Sequence, residues 1–176
     1  MVEIRKASLS DISALLELIN AYAVKGIMLP RTEFEMAENI RDFLVAFDLG
    51  KLVGCGALHF YTATSGEVRS LAVDPAAKAK GIGRAIVEAL EQEARDQDLH
   101  SLFAFTYVPG FFGKLGFEEV DRGELPLKAW KDCLRCPKFQ ACDEIAVLKR
   151  LKPEAVPPVR FTQIADFPQL PVVRKQ

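Results

Sequence analysis

The sequence has no long apolar run: none reaches the roughly 18 residues that a membrane-spanning helix needs. It has no excess of charge of either sign. Lys plus Arg number 23 and Asp plus Glu 24, for a net charge of -1, which excludes a broadly basic nucleic-acid binder. It has only 2 histidines, His59 and His100, with neither triad nor metal spacing. Its 4 cysteines, Cys55, Cys133, Cys136 and Cys142, are expected in a cytoplasmic chain to be mostly reduced or metal-bound rather than a disulfide framework. Internal repeats and low-complexity stretches are also missing. Residues Met1 to Ser10 lack the apolar core and cleavage site of a secretory signal, and a cytoplasmic location is expected. What remains is a chain of 176 residues, 49% hydrophobic and 27% charged, enough for one domain with a substantial core.

The apolar pattern predicts a short strand at Val2–Arg5. A capping box, Ser8 with Asp11, then opens a helix whose Ile12, Leu15, Leu16, Ile19 and Tyr22 fall at helical spacing and which Gly26 ends. A loop, Ile27-Met28-Leu29-Pro30-Arg31, leads to a second box, Thr32 with Glu35. Three strand-like runs follow, Phe43–Phe47, Leu52–Tyr61 and Val68–Val73, the first two joined by a glycine turn. A helix begins near Gly81. Leu102–Thr106 reads as a strand, Phe111–Leu115 as a short helix closed by Gly116, and Glu144–Leu151 as a last strand. This order implies a mixed α/β (α+β) domain over 1–152. Five of the 10 prolines lie in the remaining 153–176, a proline-rich extension.

The most informative segment is Val68-Arg69-Ser70-Leu71-Ala72-Val73-Asp74-Pro75, followed by Lys78-Ala79-Lys80-Gly81-Ile82-Gly83-Arg84. A strand ends, a basic glycine loop follows, and a helix begins. Helix N-termini expose unpaired N–H groups and carry a positive partial charge. Glycines let a ligand approach the backbone. With Lys78, Lys80 and Arg84 this makes an anion site suited to a pyrophosphate. There is no G-x-x-x-x-G-K-[ST] loop, and Ile86 stands where a dinucleotide fingerprint needs Gly or Ala. On these residues alone, an ordinary helix start with solvated lysines remains the alternative.

Lys78-x-x-Gly81-x-Gly83 resembles the acetyl-CoA loop of the GNAT acetyltransferases. Ser70 to Pro75 resembles their fourth strand, and Phe111-Phe112-Gly113-Lys114-Leu115-Gly116-Phe117 resembles their later F-Y-x-K-L-G-F motif. Lys78 replaces the family's Arg or Gln, and Phe112 stands where many members have Tyr. A narrower resemblance runs through Gly26 to Thr32, Gly66 to Val73 and Glu124 to Cys133, which look like the amino-acid N-acetyltransferases that make N-acetylglutamate and begin arginine biosynthesis. Many of those carry an amino-acid kinase domain in front. Feedback control residing in that domain is not carried over.

The resemblance implies a GNAT acyl-CoA acyltransferase fold, a mixed and mostly antiparallel sheet flanked by helices, and acetyl-CoA as co-substrate. It implies backbone contacts from Leu71, Ala72 and Val73 to the pantetheine arm, and contacts from Lys78, Ala79, Lys80, Gly81, Ile82, Gly83 and Arg84 to the pyrophosphate. Glu67 is the expected base, acting through a water, or else an exposed strand-end carboxylate. Tyr107 is the expected substitute proton donor for Phe112, or else an aromatic cover on the core. A thiol pKa near ~8.5 makes such a donor helpful rather than essential. A glutamate acceptor brings two carboxylates, and unpaired buried carboxylates are costly. Leu29 and Arg31 in the loop, Arg69 and Lys128 are the candidate acceptor contacts, each otherwise an ordinary surface side chain.

Cys133, Cys136 and Cys142 have zinc-like spacing but lack a fourth ligand, so packing thiols are favoured over a zinc site. No metal is otherwise expected. Three alternatives stay open: acetylation of glutamine or another small amine, a non-catalytic acyl-CoA-binding regulatory module, and a zinc-dependent interaction domain. Small-molecule substrates are expected, with no nucleic acid or membrane partner. The family habit is compatible with a homodimer.

Overall fold

The computed structural model of the chain describes residues 2–78, 80–125, 136, 138 and 141–152. Strand β1 (Glu3–Lys6) runs into the first capping box. The Ser8 amide donates to Asp11 Oδ2 at 2.8 Å and its hydroxyl at 2.9 Å, while Arg5 places two guanidinium nitrogens on the same carboxylate at 2.8 and 2.9 Å. That anchor starts α1 (Ile12–Ala23), which buries Ile12, Leu15 and Ile19. Gly26 adopts φ 68°, and its amide donates to the Ala23 carbonyl at 2.8 Å, which terminates the helix. The second box opens α2 (Glu33–Asn39), with Thr32 Oγ1 accepting from the Glu35 amide at 3.3 Å and Glu35 accepting from the Thr32 amide at 2.9 Å.

The other strands are β2 (Phe43–Asp48), β3 (Lys51–Phe60), β4 (Ser65–Val73), β5 (Ser101–Thr106), β6 (Glu118–Glu119) and β7 (Ile145–Arg150). With β1 they form a 7-stranded sheet in the order β1-β2-β3-β4-β5-β7-β6. Among the described residues only β4 and β5 pair in parallel, because α3 (Ile82–Asp96) crosses over between them. The strand β4 starts at Ser65, earlier than the apolar pattern suggests, since Gly66 interrupts that pattern. The two-residue β6 is too short to leave a periodic signal. Helix α4 (Pro109–Gly113), the last α-helix among the described residues, begins on a proline.

Each sheet face carries its own core. On one face α3 buries Ile82, Ile86, Val87 and Leu90 against Leu58, Val68 and Leu102. Burial of such side chains stabilises by about 1.5–3 kcal/mol each. The close seating of α3 depends on missing side chains in β3. A Cβ at Gly54 would lie 2.9 Å from Ile82 Cγ2, and one at Gly56 would lie 2.8 Å from Ile86 Cγ2. On the other face α1 and α2 cover Val45, Cys55, Ala57 and Ala72. The 153–176 extension lies outside the described residues.

Candidate active site

The sheet opens in its middle. The β4–β5 ladder joins Ser65, Gly66 and Glu67 to Ser101, Leu102 and Phe103 and then stops. Beyond that point β4 stays with β3, and β5 stays with β7 as far as Thr106. The two strands therefore part at Glu67 and Phe103 and leave a cleft lined by main chain. Along β4, Ala72 stands opposite Cys55, and the Asp74 amide donates to the Val53 carbonyl at 2.9 Å. Backbone direction alternates along a strand. Leu71 and Val73 thus turn their main-chain groups to the cleft, and Ala72 turns its own to β3. The Val73 carbonyl already accepts the Tyr22 hydroxyl at 2.6 Å, which leaves its amide for a ligand.

A bulge makes this arrangement. The β3–β4 register shifts between Cys55 and Ala57, and Ser70 takes φ 53°. Side-chain parity flips there. Glu67 and Arg69 face the α1–α2 side with Ala72, while Val68 faces α3 with Leu71 and Val73. Complete burial pushes the Cys55 thiol up to about 12, so it stays protonated and donates to the Ser70 carbonyl at 3.5 Å.

Past β4, Asp74 Oδ1 accepts the Ala76 amide at 2.9 Å and Oδ2 accepts Lys51 Nζ at 2.7 Å, fixing the turn into the glycine loop. Gly81 sits at φ 74°, where a side chain would strain the chain. Gly83 has an ordinary conformation, and its absent Cβ would lie 3.5 Å from Val73 and 3.6 Å from Phe111. The first residue thus makes the turn, and the second leaves room on the helix N-terminus. Lys78 lies over the Tyr22 ring at 5.6 Å, Lys80 pairs with Asp48 at 3.3 Å, and Arg84 pairs with Glu88 at 2.8 Å. Exposed pairs of this kind contribute about 0–1 kcal/mol, so a pyrophosphate can displace the carboxylates. Ala79 lies outside the described residues.

On the α1–α2 side, Glu67 is 1% exposed at the fork of the cleft. Leu29 and Arg31 are half-buried in the loop between the two helices. Asn20 of α1 clamps that loop at two points: its Oδ1 accepts the Arg31 amide at 2.9 Å, and its Nδ2 donates to the Arg31 carbonyl at 3.0 Å. Arg69 is held by the protein. Its Nη2 donates to Asn39 Oδ1 at 3.3 Å and lies 3.7 Å from Asp42 Oδ2. His59 adds Nδ1 to this group, 2.7 Å from Asp42 Oδ2 and 3.1 Å from Arg69 Nη2. In the sequence His59 has no triad or metal spacing and reads as a structural histidine, and no signal marks Asp42 or Asn20. The partners lie 17 and 11 residues apart, with no motif to join them. Lys128 and Cys133 lie outside the described residues, and among the described residues no group of three metal-ligating side chains assembles.

Residues 13–117 match the Acetyltransferase (GNAT) family. The chain belongs to the GNAT acetyltransferases. It is 43% identical over 148 residues, 84% of this chain and 96% of the relative, to an uncharacterized N-acetyltransferase of Chlorobaculum tepidum. It is 44% identical over 121 residues, 67% of this chain and 69% of the relative, to the amino-acid acetyltransferase of Mycobacterium tuberculosis. Among solved structures, N-acetylglutamate synthase from Neisseria gonorrhoeae, complexed with coenzyme A and N-acetyl-glutamate, superposes with a TM-score of 0.78 at 29% identity. That match covers 86% of this chain but 35% of the gonococcal one. A Mycobacterium tuberculosis protein in complex with CoA gives a TM-score of 0.74 at 33% identity, covering 85% of this chain and 99% of the other.

As a GNAT acetyltransferase the chain uses acetyl-CoA, and its cleft and loop fit that molecule. The space at Gly83 and the basic α3 N-terminus suit the pyrophosphate, and the parted strands suit the extended thioester arm. When bound, acetyl-CoA supplies the acetyl group as an activated thioester. Phe112 is 3% exposed, stacked edge-on against Phe111 and Phe117 at 5.2 Å, so this motif position belongs to the core and not to the cleft. Tyr107, just past β5, receives Lys138 Nζ on its hydroxyl at 3.2 Å, and burial raises its pKa. Its hydroxyl stays protonated at neutral pH and is hydrogen-bonded to the Asp143 carboxylate.

Proposed function

We propose that this acetyltransferase moves acetyl from acetyl-CoA to the α-amine of L-glutamate, the reaction that opens arginine biosynthesis. The observation that carries the reading is the placement of buried Glu67 where β4 and β5 part, on the sheet face that α1 and α2 cover, the two helices joined by the loop whose Arg31 is clamped by Asn20. Glu67 takes the amine proton through a water. The amine then attacks the thioester carbonyl, and a cleft-facing amide of β4 steadies the oxyanion. The C–S bond breaks, and Tyr107 protonates the departing thiolate. Leu29 and Arg31 hold the acceptor, with Arg31 offering two parallel donors to a carboxylate. The names and ligands of the amino-acid acetyltransferase relatives support the amino-acid acceptor.

The grip of Asn39 and Asp42 on Arg69 favours a second reading, acetylation of glutamine. Arg69, held by Asn39 and Asp42, is less available to a second carboxylate, and a glutamine acceptor has no second carboxylate to anchor. Incubation with acetyl-CoA, a thiol reagent and a panel of amino acids decides. Thiol release is expected fastest with glutamate. A glutamine preference selects the second reading, and no release with any amino acid overturns both.

A further inference from the structure

We infer that His59, oriented by Asp42, relays the proton that Glu67 takes from the acceptor amine out to solvent. The inference rests on Glu67 being the base. His59 and Glu67 are register partners on β3 and β4 with side chains on the same face. Such directly opposed residues have Cβ atoms about 4.5–5.5 Å apart. Glu67 is 1% exposed and must shed a proton every turnover, whereas the His59 side chain is 17% exposed. The histidine thus stands opposite the buried carboxylate on the same face and reaches solvent.

The contacts of His59 Nδ1 fix its tautomer. Asp42 Oδ2, at 2.7 Å, can only accept, and Arg69 Nη2, at 3.1 Å, can only donate. An unprotonated Nδ1 would set two lone pairs against each other at the shorter of these contacts. The proton therefore sits on Nδ1 and is donated to Asp42, and the Arg69 charge acts on the Asp42 carboxylate instead. Nε2 keeps its lone pair and is the basic atom. The charged and titratable groups around the ring are Asp42 from the turn before β2, Arg69 and Glu67 from β4, and Tyr61 just past the end of β3, edge-on at 5.2 Å. The step balances simply. The amine N–H proton passes to the Glu67 carboxylate, from there to Nε2, and then to water, while N–C forms and C–S breaks.

The test uses the full chain, acetyl-CoA and the best acceptor of the panel. His59→Ala should lower kcat by about 10²-fold with both KM values within about twofold, and added imidazole should restore part of the rate. A kcat within about threefold of the parent overturns the relay, as does a fall that imidazole leaves untouched. Should His59→Ala not fold, Asp42→Asn carries the test. Its amide can donate to Nδ1, move the proton to Nε2 and remove the basic lone pair. It should lower kcat about tenfold at constant KM, and an unchanged kcat overturns the proposal. Glu67→Gln is assayed alongside. Full activity there removes Glu67 as base, whereas an inactive Glu67→Gln beside an unaffected His59→Ala removes the relay alone.

Discussion

Gly81 and Gly83 stand two residues apart and do different work, so their substitutions should separate. Gly81→Ala puts a Cβ on a residue at φ 74° and should cost about 1–2 kcal/mol of stability in urea unfolding. Gly83→Ala meets Val73 and Phe111 only at van der Waals distance, and alanine is the better helix residue by about 0.8–1.0 kcal/mol. It should therefore fold at least as well as the parent while binding CoA at least about tenfold more weakly by calorimetry, because the methyl occupies the pyrophosphate's approach. Unchanged affinity would remove the pyrophosphate from this loop. Asp11 gives a second single-residue test. Hydrogen bonds from Arg5 hold its carboxyl well below the usual carboxylate range. A lowered folded-state pKa gives stability that is present above the unfolded-state value and is lost as pH falls toward the folded-state value. Asp11→Asn should thus be less stable than the parent near neutrality by about 1–2 kcal/mol, and that gap should narrow below about pH 4. Urea midpoints from pH 3 to 7 check this, and a constant gap would contradict it.

Helix α1 bonds both the Arg31 loop and the end of β4. Asn20 holds the Arg31 loop, and two residues on, Tyr22 donates to the Val73 carbonyl beneath the glycine loop. Asn20→Ala should raise the acceptor KM about tenfold, since a bidentate clamp contributes on the order of 1.4 kcal/mol, and leave the acetyl-CoA KM unchanged. Steady-state kinetics with each substrate varied in turn measures both. Alanine favours the helix, so a folding defect does not explain such a result. Equal rises in both KM values would mean that α1 supports the whole site and not the acceptor loop.

At the scale of the whole molecule, the two-faced core decides which thiols react. Cys55 lies fully buried between β3 and α1 with its pKa near 12, while Cys136 and Cys142 are partly exposed. A thiol reagent at pH 8 should therefore label Cys55 only after denaturation, and mass spectrometry of native and unfolded protein resolves the sites. Labelling of native Cys55 would mean that α1 opens from the sheet.

Local chemistry was readable before any fold was known. The boxes Ser8–Asp11 and Thr32–Glu35, the helix after Gly81 and the basic glycine loop each depend on residues within a few positions of one another, so spacing alone determines them. The fold class followed from the order of those elements. Contacts between distant residues stayed hidden. The bulge at Ser70 flips the faces of β4, which strict alternation would carry straight through to Val73. The Asn20 clamp, the Asp42–His59–Arg69 group and the parting of β4 from β5 arise only when α1, the turn before β2 and three strands meet in space. The sequence by itself therefore determined which elements form and where a basic glycine loop opens a helix, because those depend on neighbouring backbone. Tertiary structure alone decided which side chains gather on the α1–α2 face of β4 and what holds Arg69, because those depend on strand register and burial.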